Sequence, residues 1–359
     1  MSTFREQPKP HDSLVEVVNG AFVRTDSVYR DIVSADHPQF KPETGRYHLY
    51  VNAACPWANR CVAAVHLKGL QSAISISTTH PTWQRTRPDD EDDKHCGWVF
   101  YDSKDPNRVP LKSSGGYGSF DIPDCDACDI PNIISIRDLY VLVGDKQGKY
   151  TVPIMWDKKL RTIVNNESSE ILRMLTSAFD EFATGPGAKL DLYPESLRAE
   201  IDSVNEWIYP SINDGVYRCG FASSQEAYDE AVTNLFNALD RLESILSTSR
   251  YLCGTSNGDS RLTEADVRLI MTLVRFDEVY VVYFKTNCKR LIDYPNVRNY
   301  MRDVFQYQDG AIGRTINMLH IKTHYFTSHA VMNRFAIVPK GSDTQLDFTL
   351  PAVGRAELK

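Results

Sequence analysis

At 359 residues, with 42% hydrophobic and 24% charged side chains, the chain is long enough to bury one large core or two modest ones, and two domains fit better. A net charge of −7 excludes the clustered positive surface that nucleic-acid binding needs. No stretch has the apolar length of a membrane span or a signal peptide, and eight cysteines without a secretory signal read as reduced thiols, so a soluble cytoplasmic protein is expected.

Residues 1–45 carry scattered prolines and charges with weak periodicity, and read as an extended arm anchored by Phe4, Phe22 and Tyr29. Tyr47, Leu49 and Val51 then alternate with Arg46, His48 and Tyr50, which predicts a strand with one buried face. The strand gives way at Cys55-Pro56-Trp57-Ala58 to a helix: Pro56 suits its first position, and Trp57, Cys61, Val62 and Val65 recur at helical spacing up to Gly69, a left-handed stop. Cys55 therefore stands at a helix N-terminus, where free N–H groups and the positive end of the dipole favour a thiolate, the nucleophile of disulfide exchange. A cysteine usually only packs; here the local geometry favours reactivity. Ala58 occupies the place of a resolving thiol, so an external thiol has to release the nucleophile, and glutathione is the natural one.

A second strand over Ile74–Ser77 completes a β-α-β start. Between 80 and 150 periodicity is weak: Asp89–Asp93 is a solvated acidic run, Trp98 belongs to a core or a pocket lid, and 115–118 and 124–129 are loops. Ile136–Val143 reads as a two-turn helix. Tyr150–Trp156 is a β-rich run interrupted by Pro153, which implies an edge, a bulge or a tight turn open to a cis bond, and offers the backbone of Val152 to a ligand; Arg161–Val164 pairs with it. Asn166-Glu167-Ser168 opens a helix with Ile171, Leu172, Leu175 and Phe179 on one face, where Glu167 and Ser168 serve either as a simple cap or as holders of a ligand's amine and carboxylate. Gly185-Pro186-Gly187 marks a linker, and all that follows is helical: Leu197–Ile208, a capping box at Ser223 and Glu226 leading to about Ser247, a start at Thr263–Asp266, another at Asp293-Tyr294-Pro295, and a last helix over Ile312–His329. The tail from Pro339 is polar and expected to be partly ordered at best.

This order, with Cys55-Pro56-Trp57-Ala58, Gly97-Trp98, Thr151-Val152-Pro153, Asn166-Glu167-Ser168, Thr263–Leu269, Arg275-Phe276-Asp277 with Val279-Tyr280, and His324-Tyr325, resembles the glutathionyl-hydroquinone reductases, or Xi-class glutathione transferases. The resemblance implies an α/β thioredoxin-like N-terminal domain plus an all-α C-terminal domain, the glutathione transferase architecture. The expected boundaries are an arm at 1–45, a glutathione-binding domain at 46–184, a helical domain at 190–335 and a tail at 336–359.

Position by position, the resemblance makes Cys55 the nucleophile and Tyr217 the proton donor and acceptor. It assigns glutathione binding to Trp98, Lys149, Tyr150, Thr151, Val152, Glu167 and Ser168, and lowering of the sulfur's pKa to Tyr280 and Tyr325. With 18 tyrosines an arbitrary one is a packing residue, so only motif context singles these out. It further implies a homodimer, glutathione as co-substrate, a glutathionyl-hydroquinone as substrate and no metal. The reaction implied is reduction to the hydroquinone through a Cys55–glutathione mixed disulfide; the alternatives are an Omega-like thioltransferase or dehydroascorbate reductase, and a non-catalytic interaction module. The chain departs from the family at Asn59, where a histidine is common and which lies away from the expected ligand side, and in the Cys125–Cys128 insertion. Three further patterns carry less. Gly254–Gly258 fits a hydrolase elbow but lacks the strand before it, Cys125 and Cys128 with His95 and Cys96 lack a second Cys-x-x-Cys, and His320 with His324 reads as packing.

Overall fold

The computed structural model describes residues 16–254, 258, 260–341 and 347–358, so Phe4 and the middle of the 254–258 pattern lie outside it. The arm begins as a hairpin of β1 (Glu16–Val18) and β2 (Ala21–Val23), reversed at Asn19-Gly20, whose φ values of 50° and 82° suit a two-residue turn. Next come β3 (Tyr47–Val51), α1 (Pro56–Lys68) and β4 (Ser75–Thr78), with β4 parallel to β3. The long insertion holds only a short ladder, β5 (Gln84–Arg85) with β6 (Cys96–Gly97), before α2 (Ile136–Leu142). Then β7 (Ile154–Asp157) runs antiparallel to β3, β8 (Thr162–Asn165) antiparallel to β7, and α3 (Ser168–Leu175) follows. The sheet order is β4-β3-β7-β8.

One sequence expectation changes here, and another resolves among its alternatives. All five residues of β3 are buried, not one face of them, because Tyr50 meets Phe100 of the insertion edge-on at 5.6 Å and His48 Nδ1 bonds Ser75 Oγ at 2.7 Å. Of the alternatives for Pro153, the tight turn with a cis bond holds: Pro153 is joined to Val152 by a cis peptide and precedes β7, an inner strand, so the ladder loses no donor.

The helical part contains α4 (Arg198–Ile208), α5 (Gly215–Phe221), α6 (Gln225–Leu246), α7 (Glu264–Arg275), α8 (Val281–Tyr283), α9 (Pro295–Gly310) and α10 (Met318–Thr327). α1 packs on α3 on one side and α7 on the other, which sets the N-terminus of α1 at the seam between sheet and helices. Wider π-helical turns at Tyr209–Asn213 and Phe276–Tyr280 lead into α5 and out of α7, a feature often found beside functional residues. No helix among the described residues is long and apolar enough to cross a membrane.

Four further differences have plain causes. The 185–187 segment is a docked seam: Thr184 N donates to Lys68 O at 3.1 Å, Lys68 Nζ donates to Leu190 O at 2.7 Å, and a Cβ on Gly187 would lie 2.2 Å from Leu67 O. Ser224, not Ser223, caps α6, its Oγ accepting from Ala227 N at 3.2 Å. α10 starts at Met318, later than Ile312, because the Asn317 side chain caps it through His320 N at 3.0 Å. The tail is bound where it is described: Phe348 stacks on Phe305 at 4.4 Å, and the buried Arg355 donates to Leu246 O at 2.8 Å and Ser249 O at 2.9 Å, satisfying carbonyls at the end of α6.

Candidate active site

Cys55 is the N-cap of α1, with extended φ/ψ of −74° and 117°, and Pro56 behind it begins the helix as the sequence predicts. The loop before it is held from two directions. On the sheet side, Asn52 Nδ2 donates to Thr79 O at 2.9 Å and His80 O at 3.1 Å, while its Oδ1 accepts from Ala54 N at 2.9 Å. On the helical side, the fully buried Arg275 donates through Nε to Ala54 O at 3.1 Å and through Nη2 to Ala53 O at 3.2 Å and Asn59 Oδ1 at 3.0 Å. Asn59 in turn donates to Thr315 O at 2.9 Å, so this departure from the family pattern faces the helical half and ties α1 to it.

The Cys55 Sγ lies 3.7 Å from Val152 O. Burial pushes its thiol above the ordinary cysteine value; the N–H groups of Ala58 and Trp57 and the charges of Arg275 and Arg24 pull the other way without reversing it. The N–H groups at the helix N-terminus thus act in the direction the sequence predicts, towards the thiolate, against a burial that favours the thiol.

A cleft opens on this sulfur. One side is polar. Lys149, Thr151, Val152, Asn166, Glu167 and Ser168 line it, with Trp98 at its edge. Glu167 caps α3, its Oε1 accepting from Ser169 N at 3.0 Å, and Ser168 Oγ accepts from the buried Arg60, so the capping and ligand-holding readings of this pair are compatible. Burial would raise the Glu167 pKa, but Arg60, Ser169 and Ser27 hold it below the usual range, leaving a carboxylate suited to an ammonium group. Tyr150 is the exception among the expected residues. Its ring turns away from the cleft, under Arg137 at 5.6 Å and edge-on to His95 at 5.3 Å, because side chains alternate along the extended backbone.

The other side is aromatic, with Trp57, Tyr209, Tyr217, Phe221 and Tyr325. Tyr217 and Tyr325 share a hydrogen bond of 2.6 Å between their hydroxyls, and Tyr325 shares another of 3.1 Å with Tyr280. Tyr280 does not line the cleft; it stands behind Tyr325, fully buried. Burial keeps all three phenols above their ordinary pKa, so they are protonated hydroxyls linked in a row that begins at the cleft.

Several lining residues escaped the sequence reading. The arm contributes Phe22, Arg24, Thr25, Asp26 and Ser27; the insertion contributes Trp83; α10 and its end contribute His324 and His329. His324 stood in a quoted motif, and it packs 4.5 Å from the Trp98 ring while donating to Pro81 O at 2.9 Å. His320 Nε2 bonds Pro123 O at 2.7 Å, so both histidines fasten the insertion to α10, in line with the packing reading. Arm residues had no signal, since neither periodicity nor motif marks a segment that matters only by where it is laid.

Family models for the glutathione S-transferase N-terminal and C-terminal domains match residues 54–178 and 225–303. The glutathionyl-hydroquinone reductase YqjG of Escherichia coli (strain K12) is 40% identical over 347 residues, 94% of each chain. Its glutathione-bound structure superposes with a TM-score of 0.77 over 92% of this chain and 96% of that one. The glutathione S-transferase Xi of Phanerochaete chrysosporium is 43% identical, with a TM-score of 0.78 over 93% and 95% of the two chains. A relative in Schizosaccharomyces pombe, named glutathione S-transferase omega-like 2, is 37% identical over 92% of this chain and 96% of its own. With a thioredoxin-like domain, an all-helical domain and these relatives, the chain belongs to the glutathionyl-hydroquinone reductase family of enzymes, the Xi class of glutathione transferases.

Proposed function

We propose that the protein reduces glutathionyl-hydroquinones to hydroquinones with glutathione as co-substrate, in the cytoplasm and as a homodimer, with residues 46–184 binding glutathione and 190–335 enclosing the ring. The observation that carries the reading is the row of hydroxyls from Tyr217 through Tyr325 to Tyr280, opening into the cleft that also holds the Cys55 sulfur. A disulfide-exchange enzyme needs only the sulfur. Cleaving a carbon–sulfur bond also needs protons moved to and from the ring.

In the first half, a proton from a ring hydroxyl is relocated to the carbon bearing sulfur, giving a ketone; Tyr217 serves as donor and acceptor, backed by Tyr325. The Cys55 thiolate then attacks the glutathione sulfur. A sulfur–sulfur bond forms, the carbon–sulfur bond breaks, and its electron pair passes into the ring, which returns to the hydroquinone on protonation. In the second half, a second glutathione thiolate attacks the mixed disulfide, releasing glutathione disulfide and the Cys55 thiolate. Trp98, Lys149, Thr151, Val152, Glu167 and Ser168 hold the first glutathione. Tyr280 and Tyr325 act as hydrogen-bond donors that stabilise negative charge near the sulfur.

The test is glutathione-dependent release of hydroquinone from a glutathionyl-hydroquinone by the parent, Cys55→Ser and Tyr217→Phe. Turnover in the parent, abolished in Cys55→Ser and reduced about a hundredfold or more in Tyr217→Phe, is expected for nucleophile and proton carrier. Absent turnover with a Cys55–glutathione disulfide still forming would favour the Omega-like thioltransferase; an inert Cys55 would leave the interaction module.

A further inference from the structure

The arm places Arg24 over the aromatic side of the cleft. Its guanidinium carbon lies 4.9 Å from the centre of the Trp57 ring, 5.2 Å from Phe22 and 5.3 Å from Tyr217. Nε donates to Asp214 Oδ1 at 2.8 Å, which fixes the plane of the fork. Among the described residues, the two Nη groups have no hydrogen-bond acceptor on the protein, and Arg24 lines the cleft. Nor does Asp214 cancel the charge. This buried carboxylate also accepts from Arg218 Nε at 3.1 Å, so one negative charge is divided between two guanidinium groups and a net positive charge remains. The other two cations lining the cleft are engaged on its polar side: Arg60 with Ser168 and Glu167, Lys149 with Thr25.

We propose that Arg24 is a carboxylate subsite for the second glutathione, the one that attacks the mixed disulfide. The inference rests on the reductase reading and on the geometry of sulfur exchange. The entering sulfur, the attacked sulfur and the leaving sulfur lie close to one line, so the second glutathione thiolate approaches from the side opposite Cys55. That is where the ring carbon stood in the first half, against Trp57 and Tyr217. A peptide threaded there after the hydroquinone leaves brings a carboxylate to the only open guanidinium fork on that face among the described residues, and an arginine fork matches a carboxylate in two parallel hydrogen bonds. In the step itself the thiolate forms a bond to the glutathione sulfur, the bond from that sulfur to Cys55 Sγ breaks, and the electron pair stays on Cys55. Two glutathiones are oxidised to their disulfide, and the cysteine is reduced.

The test begins with the full chain loaded at Cys55 by glutathione disulfide, followed by stopped-flow release with either glutathione or the uncharged 2-mercaptoethanol. Arg24→Met is expected to slow release by glutathione about tenfold at subsaturating thiol, the effect of a charge-assisted hydrogen bond in a partly solvated cleft, and release by 2-mercaptoethanol less than twofold. Arg24→Lys, which keeps the charge but not the fork, is expected to recover part of the loss, and parallel melting curves establish that both variants fold. Equal slowing with both thiols, or no slowing with either, overturns the subsite. So does slowing confined to attack on a conjugate whose ring carries a carboxylate, with glutathione-dependent release unchanged, because the fork then serves the ring substrate. A parent that forms no mixed disulfide overturns the reductase reading together with the subsite; a loaded parent whose Arg24→Met variant discriminates no thiols overturns the subsite alone.

Discussion

Replacing Arg275 by methionine separates what holds the catalytic loop from what merely fills space. The guanidinium is wholly buried and supplies Ala54 O, Ala53 O and Asn59 Oδ1 at 3.1, 3.2 and 3.0 Å. A hydrogen bond from a charged donor contributes about 1.5–3 kcal/mol, so three orphaned acceptors together cost roughly 5 kcal/mol. Against that, Arg275 has no carboxylate partner among the described residues, and removing an uncompensated buried charge returns several kcal/mol of desolvation. The net loss is about 2 kcal/mol, or roughly 3 °C in Tm for a chain of this size. The chemical effect is expected to exceed the stability effect. The loop loses its anchor and the sulfur loses a nearby positive charge, so the Cys55 thiol, already raised by burial, rises further. The assay is peptide-resolved alkylation of Cys55 by iodoacetamide across pH, read by mass spectrometry beside a melting curve. An alkylation profile superposable on the parent's, with Tm within a degree, would refute the role of Arg275 in both respects.

Three other outcomes are expected. Thr82 N donates to His80 Nδ1 at 3.0 Å, and burial lowers the His80 pKa to about 4. A folded pKa below the unfolded value gives stability that is present above about pH 6.5 and lost as pH falls toward 4, about 2 kcal/mol by pH 5. Asp266, raised to about 6 by burial, acts with the opposite sign in that window, so the readout is the difference in urea midpoint between pH 7 and 5 for the parent against His80→Gln; identical differences would refute it. Arg355→Ala is expected to cost about 2 kcal/mol by uncapping α6, and to hasten proteolysis of the tail; an unchanged melting curve would show the tail contributes nothing. Gly187→Ala drives a Cβ to within 2.2 Å of Leu67 O and 2.5 Å of Lys68 C, whereas Gly185, at φ +60°, faces open space. The first substitution is therefore expected to destabilise by about 2 kcal/mol and the second by about 1, and the reverse order in thermal melts would sink the docked-seam interpretation.

The local grammar of the fold was readable residue by residue. Pro56 after Cys55 and Gly69 at φ 66° bound α1, and Thr263 with Asp266 forms a reciprocal cap at the start of α7. Such signals lie within a few positions of each other, where backbone sterics and a single side chain decide the outcome. Where two neighbouring serines compete, as at Ser223 and Ser224, even a local signal slips by one residue. The docking of residues 347–358 has no such local signal, because Arg355 looks like any polar surface residue until the open carbonyls at the end of α6 are placed beside it.

The site divides in the same way. Cys55, Glu167 and Ser168 announce themselves by their positions at helix starts, and the neighbouring residues are enough to put a cysteine at a helix N-terminus. What that cysteine meets was decided only by tertiary structure. Tyr217 and Tyr325 lie 108 residues apart and their hydroxyls 2.6 Å; Arg275 reaches back 221 residues to Ala54; Arg24 comes from an arm without periodicity. Burial and long-range charge set the ionisation of a thiol, and both are properties of how distant segments pack, so no reading of the residues around Cys55 alone could have supplied the raised pKa or the row of hydroxyls beside it.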